Sequence, residues 1–494
     1  MRPTALGATR AVLDTLERLE IEQPGHGEAL RAIRERMEGP LRVAIAGRVK
    51  AGKSTLLNAL VGERLAPTDA GECTRLVSWY RKGTGYDVSA LLRSGEEQAL
   101  SFRRSGGALD IDLGGLAERD VVRLDIRWPS SALDQLTLID TPGLASINDE
   151  NSRRTREFLE ADSEEGTDAD AVIYLMRHVH HDDVAFLDAF MDRTITAASP
   201  VNTVAVLSRA DEIGGGRVDA LDSAGRIARR YQADPQVRAL CASVTPLAGL
   251  LAETGLTLRE DEVANLRSLA TTEPETLELM LLSSDEFLEL SRGALTVENR
   301  RDLLDRLGMF GLRLAVREIA AGHVTAATLG PRLVELSGLD DLRRIIVHHF
   351  VPRARALQAR TALSSLRHLA RSLRATDPGT ATAIDREAER IEASAVEFAQ
   401  LRATHLVTSG AVPVSDAERH ELSTLLLDGA TGAVPGLAAG ASVDQVRASA
   451  LAAVSRWRTR AGDPLADPTF VEVCETAARS YEAIYAFTAN RPSG

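Results

Sequence analysis

One eight-residue run constrains this chain more than any other: Gly47-Arg48-Val49-Lys50-Ala51-Gly52-Lys53-Ser54. Its Gly-x4-Gly-Lys-Ser spacing is that of a phosphate-binding loop, and the neighbouring residues place such a loop correctly. Leu41 to Ala46 is a short apolar run that reads as a buried strand, and Thr55 to Val61 reads as the start of a helix. A strand, a Gly-rich turn and a helix N-terminus point several backbone N–H groups at one spot, which attracts phosphate oxygens. Gly47, Ala51, Gly52, Lys53, Ser54 and Thr55 are therefore expected to hold nucleotide phosphates. Lys53 would reach the β- and γ-phosphates, and the Ser54 hydroxyl would ligate Mg²⁺. Lysine usage agrees. Lys50, Lys53 and Lys82 are the only lysines, so an ammonium at 53 in an arginine-rich chain signals a chemical need for it.

At 494 residues the chain has room for two or three domains. Aromatics are only 4% of it while Ala, Leu and Arg abound, which favours helix. A net charge of −13 argues against a general nucleic-acid binder, which needs a basic field. Cys73, Cys241 and Cys474 form neither a disulfide framework nor a zinc spacing, and they fit a reducing cytoplasm. The opening residues contain no signal-peptide core, and no run of apolar residues is long enough to span a bilayer. Gly432 to Ser442, small and rich in Gly, reads as a loop, with a membrane-touching tip as the alternative.

Two helical stretches, 4–20 and 26–38, precede the first strand. From 41 to about 250, strand-like runs alternate with helical ones, as in an α/β domain with a mostly parallel sheet. The expected strands are 41–46, 75–81, 86–93, 121–128, 133–139, 171–176, 202–208 and 240–244. Lys82-Gly83-Thr84-Gly85 suggests that the second and third form an edge hairpin. A charged helical stretch at 250–335 reads as an insertion, and Ser337 to Leu342 opens the last helix on the sheet. This divides the chain into N-terminal helices (1–38), an α/β domain (39–350) and a C-terminal helical bundle (351–494) that the N-terminal helices join. In the bundle, Arg353, Arg360, Arg367 and Arg374 recur every seven residues, followed by a helix carrying Asp385, Glu387, Glu389 and Glu392. An antiparallel pair that matches its charges is the plain reading, and contact with anionic lipid is the other.

The second phosphate element is Leu138-Ile139-Asp140-Thr141-Pro142-Gly143. Asp140 at a strand end can hold Mg²⁺ through water, and the Gly143 N–H can meet a γ-phosphate. Between the two elements, Thr74 is the candidate for a switch threonine on Mg²⁺, with Thr68 as competitor. After a later strand, Ser208-Arg209-Ala210-Asp211 takes the place of the base-reading Asn/Thr-Lys-x-Asp motif. The Asp211 carboxylate can accept both donors of the guanine edge, and the Arg209 guanidinium can stack on the base. Cys241-Ala242-Ser243 is a loose match to the loop that backs the base.

Together these elements resemble the dynamin-like GTPases, above all Ala46 to Val77, with Ala66-Pro67-Thr68 and Cys73-Thr74-Arg75. Leu304 to Gly308 and Ser337 to Leu342 are similar to short actinobacterial members of the isoniazid-inducible type. The resemblance implies an α/β P-loop GTPase domain on an α-helical bundle, using GTP/GDP and Mg²⁺. It also implies assembly with itself or a second dynamin-like protein, with membrane remodelling and a cytoplasmic place at the inner face of the cell membrane. Val49 departs from the family's polar residue that helps position the attacking water. Lys50 could supply charge near the β/γ bridge, or it points to solvent or to a partner head. Slow hydrolysis by a lone head follows, with Lys53, Lys50 and Thr74 as the catalytic candidates. Arg177-His178-Val179-His180-His181-Asp182-Asp183 offers metal-ligand types, but adjacent side chains diverge, so a loop at a head interface is expected. A weakly hydrolysing scaffold and a dynamin-like ATPase are the competing functions.

Overall fold

The computed structural model describes residues 4–22, 26–47, 50–66, 76–105, 108–141, 169–177, 200–289, 295–428, 434–438 and 441–489. Its strands, in chain order, are β1 (Leu41–Gly47), β2 (Ser78–Lys82), β3 (Asp87–Leu92), β4 (Glu97–Ala99), β5 (Ser101–Ser105) and β6 (Ala108–Asp112). They continue with β7 (Val121–Trp128), β8 (Leu136–Asp140), β9 (Ala171–Met176), β10 (Thr203–Ser208) and β11 (Val244–Leu247). Nine of them form one sheet in the order β11-β10-β9-β1-β8-β2-β7-β3-β4, while β5 and β6 pair apart from it. The five strands from β11 to β8 run parallel, and β2 joins β8 antiparallel. Continuous apolar runs such as Ala171–Met176, buried at every position, suit strands covered on both faces.

Two expectations fail. The runs on either side of Gly83 are not a hairpin: β7 lies between them, parallel to β2 and antiparallel to β3. β7, whose alternate residues Leu124, Ile126 and Trp128 are buried, has more to gain from an interior position than from the edge. The strand expected at 240–244 is also displaced. Asp234 caps a helix, Pro235–Leu240, with its side chain accepting from the Gln236 N–H, so the strand begins only at Val244.

Helix packing follows from apolar stripes. The helix Lys53–Val61 buries Leu56, Leu57 and Leu60 under the sheet. The stretch 250–335 folds as helices around their own core, including Leu251, Val263, Phe287, Leu303 and Phe310. There the helices Gly249–Thr257 and Ala326–Ser337 cross at Gly255 and Gly330, where a Cβ on Gly330 would lie 2.6 Å from the Gly255 carbonyl oxygen. Only glycine permits that approach.

The helices Ala5–Glu22 and Gly27–Glu38 pack on Ala354–Leu373, and their buried Leu13, Leu30 and Ile33 share one core with Leu363, Leu366 and the sheet. Two arginines of the heptad reach the acidic helix Pro378–Ser394, while Arg353 turns to His349. Arg367 grips Glu392 through two hydrogen bonds of 2.7 and 2.8 Å, and Arg374 reaches Asp385 at 3.1 Å. Beyond them, the helices Val396–Ser409, Asp416–Asp428, Val443–Ala461 and Pro468–Ala489 enclose a further core around Trp457 and Tyr481, both of which donate to Glu421. Among the described residues, no helix is long and apolar enough to cross a membrane.

Candidate nucleotide site

The site grows from the carboxyl ends of β1, β8 and β10, where an open parallel sheet leaves room for a ligand. β1 ends in Gly47, paired with Leu175 of β9. A Cβ at Gly47, whose φ is +150°, would sit 2.6 Å from the Leu175 carbonyl oxygen, so the chain turns there only as glycine. Lys50 is exposed and held at φ 62°, an unusual conformation for a side chain with a Cβ. Ala51 is buried, Gly52 takes φ 93°, and Lys53 opens the helix Lys53–Val61, so its side chain stands at the positive end of the helix dipole.

Lys53, Ser54 and Asp140 meet there. Registered opposite Ile45, Asp140 ends β8, and the Thr141 hydroxyl donates to the Ile45 carbonyl at 3.0 Å. The Ser54 hydroxyl donates to Asp140 Oδ2 at 3.4 Å. Burial pushes the Asp140 carboxyl up to about 6, against the pull of Lys53 and Ser54. It also pushes the Lys53 ammonium below its ordinary range, while Asp140 opposes the change. Desolvation thus disfavours both charges, and a phosphate or a metal ion would restore what each has lost. Asp140 Oδ1 is buried with no hydrogen-bond partner among the described residues. A desolvated carboxylate oxygen beside a hydroxyl suits a hard divalent cation, so Asp140 and Ser54 fit Mg²⁺. Thr74, its rival Thr68, and Gly143 lie outside the described residues, as do Arg48 and Val49.

The segment expected to read the base forms a turn at the end of β10. Ser208, the last residue of β10, donates to the Met176 carbonyl of β9 at 3.3 Å. Arg209 adopts φ 52° and leads into the short turn Ala210–Glu212. Glu212 then holds two guanidiniums, Arg209 at 2.6 Å and Arg177 at 3.2 Å. Burial raises the Asp211 carboxyl above its usual range, with Arg209 opposing it. A backbone N–H also holds the carboxylate. Of the segment 177–183, only Arg177 is described, and no cluster of metal-ligating residues occurs among the described residues.

Cys241-Ala242-Ser243 does not back the base. Because β11 runs parallel to β10, with Ser208 beside Leu247, this segment enters β11 at the end remote from the phosphates. The loop on the nucleotide side is Ala248-Gly249, where a Cβ on Gly249 would lie 3.5 Å from Thr55 Cγ2.

A further residue was not anticipated. Buried Asn58 accepts from the Leu65 and Ala66 N–H groups at 2.8 and 2.7 Å, and donates to the Ala66 carbonyl at 3.1 Å. It pins the strand-like lead into 67–75 onto the phosphate-loop helix. Next to it, Arg64 pairs with buried Glu253 at 2.6 Å, tying the same segment to the helix Gly249–Thr257. The signal was present: one amide in the apolar run Leu56-Leu57-Asn58-Ala59-Leu60 demands buried partners.

A phosphate loop, an acidic strand end and an Asp-bearing turn on one sheet edge define a P-loop nucleotide-binding head of the switch type. The dynamin family profile matches residues 43–185. The isoniazid-induced protein IniC of Mycobacterium tuberculosis (strain ATCC 25618 / H37Rv) is 39% identical over 462 residues, which covers 92% of each chain. The bacterial dynamin-like protein of Nostoc punctiforme is 32% identical over 127 residues, 24% of this chain and 18% of that one. A solved structure of an oligomerised bacterial dynamin pair overlaps 94% of this chain and 87% of its own at 11% identity, and its TM-score of 0.31 carries no argument. This chain belongs to the dynamin family, with its similarity to IniC running nearly end to end.

Proposed function

We propose that this protein binds GTP with Mg²⁺ and hydrolyses it slowly as a lone head, faster when two heads pair across their nucleotides. The meeting of Lys53, Ser54 and Asp140, with Asp140 Oδ1 unsatisfied, is the observation that carries this reading. The N–H groups of Ala51 to Thr55 would hold phosphate oxygens, and Lys53 would meet the charge that develops on the β/γ bridge. Ser54 and Asp140, joined by Thr74 from the switch segment, would hold Mg²⁺, which when bound neutralises the phosphate charge. Gly143 would contact the γ-phosphate. Asp211 would select guanine, with Arg209 stacked on the base and Ser208 fixing the turn. No side-chain base is assigned, and Lys50, exposed at the loop, would add charge near the bridge.

Nucleotide exchange would drive assembly with another copy or with a second dynamin-like protein, at the inner, anionic face of the cell membrane. The family membership supports assembly, and a division into 1–38, 39–350 and 351–494 would supply a head and a helical stalk. Val49 favours a second reading, a weakly hydrolysing scaffold for a partner dynamin, since it leaves the water-positioning role empty. GTP turnover per protein against protein concentration, with and without phosphatidylglycerol liposomes, tests both readings in wild type and Lys53→Ala. Turnover no greater than that of Lys53→Ala overturns the enzyme reading, and a rate flat in concentration overturns head pairing. Equal competition by ATP for bound GTP overturns the role of Asp211.

A further inference from the structure

The α/β head meets the helical bundle at the edge remote from the phosphates. The π-helical turn Ile346–Phe350 makes the chain connection, and the helix Val396–Ser409 packs on Pro235–Leu240 of the head. Between them lies a cavity of about 320 Å³. Arg238 and Gln232 line it from the head, Thr408, Arg419 and Ser423 from the bundle, and His349 from the connection. Among the described residues no carboxylate lines it. Asp416 lies 4.0 Å from Arg419 Nε and is itself fully exposed.

The commitments of these groups are uneven. Gln232 is spent: its amide donates to the Ala242 carbonyl and accepts from the Val244 N–H. His349 is spent too, since its Nδ1 accepts from Arg353 at 2.8 Å and its Nε2–H donates to the Val201 carbonyl at 2.6 Å. Arg419 gives one N–H to the Val407 carbonyl and keeps the rest of its fork. Arg238 differs from all of these. Among the described residues its guanidinium has no hydrogen bond or ion pair, and its Nε is buried and unpartnered. One of its terminal nitrogens lies beside Gly410, the cap of the helix Val396–Ser409, so the group reaches across the junction. Arg238 is half-buried, and a buried Nε–H without a partner costs free energy that a complementary anion would recover.

We propose that this cavity is a binding site for a small phosphate-type oxyanion that bridges the head to the bundle. Arg238 supplies charge and donors from the head, while Arg419 and the Thr408 and Ser423 hydroxyls supply donors from the bundle. Occupancy would hold the two parts in one relative orientation. The volume of about 320 Å³ admits a diphosphate. A soluble phosphate and a lipid headgroup share this chemistry.

Isothermal titration with inorganic pyrophosphate tests the site in full-length protein carrying Lys53→Ala, so that the phosphate loop does not compete. The expected result is one saturable site, weakened about ten-fold by Arg238→Gln and similarly by Ser423→Ala, with melting temperatures unchanged. Competition by phosphatidylglycerol vesicles would assign the anion to a lipid headgroup, and its absence to a soluble phosphate. No saturable binding, or binding untouched by both substitutions, overturns the proposal. Because the test is run without a working phosphate loop, its outcome is independent of GTP hydrolysis.

Discussion

Replacing Asn58 with alanine removes three buried hydrogen bonds, of 2.7, 2.8 and 3.1 Å, that pin Leu65 and Ala66 to the phosphate-loop helix. Both residues are fully buried, so water does not replace the lost partner. At about 1 kcal/mol for each bond, the substitution costs about 3 kcal/mol, more if the two N–H groups stay dry. The loss falls on the segment that leads into 67–75, where Thr74 is expected to meet Mg²⁺ and the γ-phosphate. On the proposed function, that segment would close on GTP and not on GDP. Asn58→Ala should therefore weaken a non-hydrolysable GTP analogue by about ten-fold or more, while GDP changes less than three-fold. Fluorescent nucleotide titrations measure both affinities, and urea unfolding measures the stability. Equal losses for the two nucleotides would show that Asn58 serves the fold alone. A stability change under about 0.5 kcal/mol would refute the buried network itself.

Asp211→Asn replaces an acceptor by an amide that can also donate, so preference should move from GTP toward XTP, whose purine carries a carbonyl where guanine carries an amine; unaltered GTP selectivity counts against Asp211 as the base reader. Gly330→Ala drives a Cβ into the Gly255 carbonyl oxygen, 2.6 Å away, and should cost about 1–3 kcal/mol in spite of alanine's better helix propensity. Thermal melting checks it, and a neutral or stabilising result refutes the close crossing. Burial beside Arg353 lowers His349 to about 3, so the unfolded chain binds the extra proton between about 3 and the ordinary 6.5. Stability from this group is complete above pH 6.5 and is lost as pH falls, by about 2 kcal/mol at pH 5. His349→Gln should flatten that slope in urea unfolding at pH 5 and 7, and an unchanged slope would show that His349 is not its source.

What could be read from the residues was local in origin. The phosphate loop, Asp140 at a strand end and the turn at Asp211 each require a few consecutive residues with a fixed backbone path, so spacing carries them. The arginine heptad could be read as one helix face, but only packing shows that Glu392 and Asp385 receive Arg367 and Arg374. Strand neighbours were not legible. A turn such as Lys82 to Gly85 suggests a hairpin, yet β7, some forty residues later, enters between β2 and β3 because the interior of the sheet buries it better. The Asp234-Pro235 cap starts a helix that delays the strand to Val244 and moves the loop after it to Ala248-Gly249.

Residues alone determined that this chain carries a nucleotide head, because an ammonium, a hydroxyl and glycines at set intervals form a phosphate site wherever a strand feeds a helix. Tertiary structure decided what lies around that head. The direction of β11 put Ala248-Gly249, rather than Cys241, on the ligand side. Folding also brought Asn58 to residues 65 and 66, and Glu253 to Arg64. It set Arg238 against a bundle that begins more than a hundred residues later. Such contacts depend on the burial of whole faces, a sum over many distant residues that no local spacing encodes.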